Sequence, residues 1–129
     1  MIVDTSGLVA IIKGESEGRL FLETMLAVEA VKLSAATYFE CGMVIDRIDR
    51  GQAGIKVDRL LSRVDAEIIP VTLAHARIAR AAYSQFGKGR HPARLNFGDC
   101  FAYALARETG EPLLYKGDDF ARTDVEAAV

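Results

Sequence analysis

The sequence predicts an α/β domain with a mainly parallel sheet of four to five strands flanked by helices, and three observations carry that prediction. Short apolar runs alternate along the chain with longer segments of helical period. Each strand-like run is apolar at nearly every position, as a strand covered on both faces must be. No linker, repeat or low-complexity tract interrupts the 129 residues, a length that suits one domain spanning 1–129.

In chain order, Met1–Asp4 reads as a buried strand that ends in a carboxylate. Gly7–Lys13 and Glu17–Glu29 have helical spacing, the second with Leu20, Leu22, Met25, Leu26 and Val28 among its apolar positions. Val31–Ser34 is a second strand. Thr37–Arg50 is helical, and Phe39, Met43, Val44 and Ile48 are spaced so that one buried face absorbs them. Gly51–Val64 continues as another helix. Glu67–Val71 is a third strand, with Pro70 at its end or on an edge. Thr72 suits the N-cap of a helix through Phe86, and Gly87–Leu95 reads as a loop rich in glycine and basic residues. Asn96 suits the N-cap of a helix to Thr109, with Gly110 as its C-cap. Pro112–Tyr115 is a fourth strand, Gly117–Thr123 a turn or short helix, and Asp124–Val129 a candidate fifth strand.

Half the residues are apolar and 26% are charged, which excludes a disordered chain. No apolar stretch approaches the roughly 20 residues that span a bilayer, and no basic leader precedes the first acid, so the expectation is a soluble cytoplasmic protein with no membrane role. Cys41 and Cys100 form no CxxC-type pattern and read as two reduced, core-facing thiols. The net charge of −2 argues at first against a nucleic-acid partner. Its distribution argues otherwise: Ile68–Gly98 contains no acid but carries Arg77, Arg80, Lys88, Arg90 and Arg94 with His75 and His91. Charge thus permits a phosphodiester ligand and a solvated basic face equally.

Ligands of open parallel sheets gather outside the carboxyl ends of the strands. Asp4 stands at such an end and Asp118 and Asp119 just beyond another, while Glu40 lies one turn into the helix after the second strand and Asp99 in the first turn after Asn96. Four acids distant in sequence therefore converge on one side of the sheet. Gathered carboxylates repel one another, and a divalent cation removes that cost. All-oxygen ligands suit Mg²⁺, with Mn²⁺ as a substitute, whereas zinc would select histidine and cysteine. Each acid taken alone has an ordinary structural use, Asp4 ending a strand and Asp99 favouring a helix N-terminus. There is no Walker-type phosphate loop and no GxSxG nucleophile turn, and the aromatic residues fall at helical spacing, as core residues do.

The opening Ile-Val-Asp-Thr-Ser with Leu8 and Val9 resembles the start of a PIN domain of the toxin (VapC) type. Ser34–Glu40 resembles the second-acid motif of that family, and Leu95–Ala106, containing Asn96-Phe97-Gly98-Asp99, resembles the third and most specific. Pro112–Phe120 resembles the strand and acid that close the site, although Lys116-Gly117-Asp118-Asp119 lacks the family's threonine and has its two acids adjacent. The resemblance covers the whole chain in order. It implies an endoribonuclease that hydrolyses RNA phosphodiesters with Mg²⁺, in which Asp4, Glu40, Asp99 and Asp118 are the catalytic metal ligands, Asp119 is the rival for the fourth place, and Ser6 supports a ligand carboxylate. It implies as partners an RNA substrate, a cognate antitoxin that occludes the crevice, and a second copy in a homodimer. Leu20, Leu22 and Leu26 offer apolar surface to either protein partner, and a buried core accounts for them equally well. The alternative is a PIN-like module that binds RNA or a protein without turnover. A phosphoacceptor receiver domain is excluded, because one acid rather than a pair follows the first strand and no aspartate follows the third.

Overall fold

The computed structural model describes residues 1–129. Its order is β1 (Ile2–Val3), α1 (Thr5–Lys13), α2 (Gly18–Ala27), β2 (Lys32–Ser34), α3 (Ala35–Ile48), α4 (Ala53–Arg63), β3 (Glu67–Ile69), α5 (Leu73–Phe86), α6 (Phe97–Thr109) and β4 (Leu113–Leu114), closed by a 3-10 turn at Phe120–Arg122. The four strands pair in parallel in the order β3-β2-β1-β4, with Ile2 opposite Lys32 on one side and Leu113 on the other. The candidate fifth strand is reduced to one bridge, Leu113 to Ala127, held by Leu113 N–H to Glu126 O and Ala128 N–H to Leu113 O.

Successive strand residues point to opposite faces, and the packing follows that alternation. Met1, Val3, Leu33 and Leu114 join a core with residues of α1 to α4. Ile2 and Leu113 join a second core with α5 and α6. The result is a sheet covered on both faces, as its continuous apolar strands require. Because the chain moves outward from β1 through β2 to β3 and then returns to the other side of β1, the order reverses between β1 and β4. Open α/β sheets bind ligands at such a reversal, outside the carboxyl ends of the strands.

Local signals set the helix ends. Asp4 caps α1, Ser34 caps α3 by accepting from Ala36 N–H at 3.2 Å, and Thr72 caps α5 by accepting from His75 N–H at 3.1 Å. Gly110, at φ 68°, ends α6 in the left-handed conformation that glycine adopts without a steric penalty. His75 is buried, accepts from Thr72 N–H and pairs with Glu108, which ties α5 to α6. Both cysteines are free and buried, as expected. Burial pushes the Cys41 thiol up to about 12 and the Cys100 thiol to about 11, so both are protonated and inert at neutral pH. No helix is long and apolar enough to cross a membrane.

One helix face differs from expectation. The buried side of α3 is Thr37, Cys41 and Ile45, while Phe39 (68% exposed), Met43 and Ile48 face outward. In α2 the buried residues are Gly18, Phe21 and Met25, and Leu20 and Leu26 are each half exposed, the surface alternative of the two the sequence leaves open. In both helices apolar side chains occupy more of the circumference than one buried stripe needs, so in α3 spacing alone selects the wrong stripe.

Candidate metal centre

Asp4 sits where β1 ends and α1 begins. Its side chain is 3% exposed, and Oδ2 accepts from Ser6 N–H at 2.9 Å and from Ser6 Oγ–H at 2.6 Å. Ser6 Oγ in turn accepts from Lys116 N–H at 3.0 Å, so one hydroxyl joins the end of β1 to the segment leaving β4. Ser6 thus supports a candidate ligand carboxylate as the sequence suggests. Oδ1 of Asp4 is buried and has no hydrogen-bond partner. A buried acceptor without a partner is costly unless something outside the chain satisfies it.

Glu40 reaches the same place from α3, five residues past its N-terminus. Thr5 Oγ–H donates to Glu40 Oε1 at 2.5 Å. On the other side the carboxylate lies against the first turn of α6, where a Cβ on Gly98 would fall on it. Glycine leaves room for this close approach, and a side chain here would push the flexible end of Glu40 aside. Asp99 follows one residue later. Its Oδ2 accepts from Asn96 N–H and its own N–H donates to Asn96 Oδ1, each at 2.9 Å, a reciprocal cap that fixes the carboxylate as well as the helix end.

The electrostatics tie these groups together. Burial first, with Asp4, Glu40 and Asp119 adding repulsion, pushes the Asp99 carboxyl up to about 7 despite the Asn96 N–H. Burial also raises Asp4, against the Ser6 hydrogen bonds, and Glu40 adds to that rise. No Lys or Arg forms an ion pair with Asp4, Glu40 or Asp99. The nearby Lys116 turns its ammonium to Glu15 at 2.5 Å and Glu17 at 3.2 Å.

The adjacent acids after β4 behave differently from each other. Asp118 is exposed and bears on Tyr115, whereas Asp119, half-buried at the start of the 3-10 turn, is the one whose charge acts on Asp99. Asp119 also lies 3.9 Å from the Arg94 guanidinium. The two acids follow Gly117, whose φ of 98° turns the chain as it leaves β4.

Asp4, Glu40 and Asp99 are thus neighbours from three elements, with Asp119 alongside, but no three His, Cys, Asp or Glu side chains converge tightly enough to form a finished cage. An all-carboxylate set without a counter-cation, with an orphaned Oδ1 on Asp4 and a cradle at Gly98, fits a hard divalent ion that retains part of its water shell. Sequence reasoning named Asp4, Glu40, Asp99, Ser6 and the Asn96 cap, and it preferred Asp118 where the structure instead puts Asp119 beside Asp99. It missed Thr5 and Gly98, whose only sequence signals are a hydroxyl after Asp4 and a glycine in a helix's first turn.

A model of the PIN-domain family matches residues 1–126. Ribonuclease VapC28 of Mycobacterium tuberculosis is 45% identical over 130 residues, covering 100% of this chain and 98% of that protein. Among solved structures, M. tuberculosis VapC20, a toxin described as cleaving the sarcin-ricin loop, superposes with a TM-score of 0.74 at 20% identity, covering 96% of this chain and 95% of that one. VapBC2 from Rickettsia felis, bound to a DNA fragment from its promoter, superposes with a TM-score of 0.72 at 21% identity over 98% of this chain and 94% of the matched chain.

Proposed function

Because this chain belongs to the PIN-domain family, we propose that it is a metal-dependent endoribonuclease, the toxin of a type II toxin–antitoxin pair. The observation that carries the reading is the group of carboxylates at the reversal of strand order, of which Asp4, Glu40 and Asp99 have no basic partner and Asp4 has an orphaned Oδ1. Asp4, Glu40 and Asp99 would hold Mg²⁺, with Mn²⁺ able to replace it. The coupling of Asp119 to Asp99 favours Asp119 over Asp118 as the fourth acid. A divalent ion bound there lowers the pKa of an attacking water and offsets charge developing on the phosphate.

The chain's own residues prepare that site. Ser6 and Thr5 fix the unused oxygens of Asp4 and Glu40, so each presents one defined edge. Asn96 does the same for Asp99. The substrate is an RNA phosphodiester, and the partner is a cognate antitoxin that covers the crevice. Its cytoplasmic location and homodimeric state are part of the same reading.

Calorimetric titration of the partner-free protein with Mn²⁺ is the direct test, since it needs no knowledge of the RNA target. The expected result is binding in the wild type, at least tenfold weaker in Asp99→Asn and in Asp119→Asn, and unchanged in Asp118→Asn. Asp4→Asn and Asp99→Asn should also abolish RNA cleavage while leaving the circular dichroism spectrum intact. Absence of Mn²⁺ binding to folded wild type would leave a non-cleaving binding module in front.

A further inference from the structure

A groove of about 570 Å³ runs between α5 and α6, outside the carboxylate group. It exists because α5 presents Ala76 and Ala79 there, leaving a gap between the helices. Tyr83 forms one wall, and Phe97 and Phe101 form the other, their rings 5.0 Å apart at 76°. Phe97 is 80% exposed, the largest exposure of any bulky apolar side chain in the protein. With Phe101 and Tyr83 it forms a contiguous aromatic patch open to solvent, the kind of surface that marks a contact site.

The rim is basic. Arg80 and Lys88 line the groove, and the Arg90 guanidinium stands 5.9 Å from the centre of the Tyr83 ring. None of these three cations is in an ion pair, and no acid lines the groove. Aromatic faces interleaved with unpaired cations suit the bases and phosphates of a single strand. The groove adjoins the metal centre through Asn96, which lines it and donates its backbone N–H to Asp99. Phe97 lies only two residues before that carboxylate.

We propose that this groove is a base-stacking subsite, in which Phe97 packs against a base flanking the scissile phosphate of single-stranded RNA while Arg80 and Lys88 hold neighbouring phosphates. The inference rests on the nuclease reading for what the strand is doing there, but its binding prediction does not. Phe97 is accordingly a specificity and positioning residue, since it touches a base rather than the reacting atoms.

The test is binding of a fluorescein-labelled oligoadenylate hexamer in EDTA, where no cleavage occurs, compared with a hexamer of abasic deoxyribose phosphates. Phe97→Ala should weaken the oligoadenylate roughly tenfold and leave the abasic strand unchanged, as stacking on one aromatic predicts. Arg80→Gln with Lys88→Gln should weaken both. Phe97→Trp should restore affinity and, as the only tryptophan in the chain, lose emission on adding the oligoadenylate. Equal affinity of wild type and Phe97→Ala for the oligoadenylate would overturn the subsite, even if the protein cleaves RNA. So would sedimentation showing that Phe97→Ala converts a dimer to a monomer with RNA binding per chain unchanged, since the groove would then be a face between copies. Base-dependent binding through Phe97 in a wild type that neither binds Mn²⁺ nor cleaves RNA would keep the subsite and remove the nuclease reading instead.

Discussion

Asp99 shows how one residue carries both the cost and the purpose of the site. Its carboxyl, at about 7 in the folded chain against 3.8 as the ordinary value, binds a proton more tightly when folded than when unfolded. Between those two pH values the native state therefore holds more protons, and metal-free stability falls as pH rises, levelling off above 7. Three pH units of such a shift correspond to about 4 kcal/mol, and partial exposure reduces the expectation to about 2 kcal/mol. Asp99→Asn keeps an acceptor for the Asn96 N–H but cannot ionise. In urea unfolding with a chelator present, the variant should match the wild type near pH 4 and exceed it by about 2 kcal/mol at pH 8. A wild type as stable as the variant at pH 8 would show that the carboxylates do not repel as their burial implies.

At the scale of elements, the helix caps were the most legible features, because a cap is a local hydrogen bond written in one or two residues. Thr72, Asn96 and Gly110 each end a helix where the sequence indicates. The buried face of α3 was less legible, since Phe39 and Met43 satisfy helical period while lying outside the core. Which stripe is buried depends on where neighbouring helices lie, and that is not a local property. The caps also separate stability from function. Asn96 and Thr72 make equivalent reciprocal caps, but only Asn96 holds a candidate ligand. Asn96→Ala and Thr72→Ala should each cost about 1 kcal/mol in chemical denaturation. Only Asn96→Ala should also weaken Mn²⁺ binding, by severalfold, in the same calorimetric titration. Losing the Oδ1 acceptor of the Asp99 N–H loosens the turn whose backbone N–H at position 96 holds the Asp99 carboxylate. Equal Mn²⁺ affinity in both variants would separate the α6 cap from the metal centre.

Over the whole molecule, three of the acids could be read from the sequence because each sits at an element end that a parallel sheet directs to one side. The choice between Asp118 and Asp119 could not, because adjacent carboxylates offer the same chemistry and only the fold leaves Asp118 exposed while Asp119, half-buried, acts on Asp99. Nor could the role of Gly98, which depends on α3 and α6 meeting across the top of the sheet. That meeting has a thermodynamic consequence. The centre joins Asp4 near the start of the chain, Glu40 from α3, and Asp99 and Asp119 from the last third, so an ion bound there must be released whenever the fold opens globally. A ligand that binds only the native state at one hundred times its Kd adds about 2.7 kcal/mol. For a chain of 129 residues, about 4 °C per kcal/mol makes that a rise of roughly 10 °C in Tm. The rise should be present at pH 8, smaller at pH 5 where protons compete for the same carboxylates, and absent in Asp4→Asn. A Tm that does not move with Mn²⁺ at pH 8, or that moves equally in wild type and Asp4→Asn, would show that the ion does not bridge these elements.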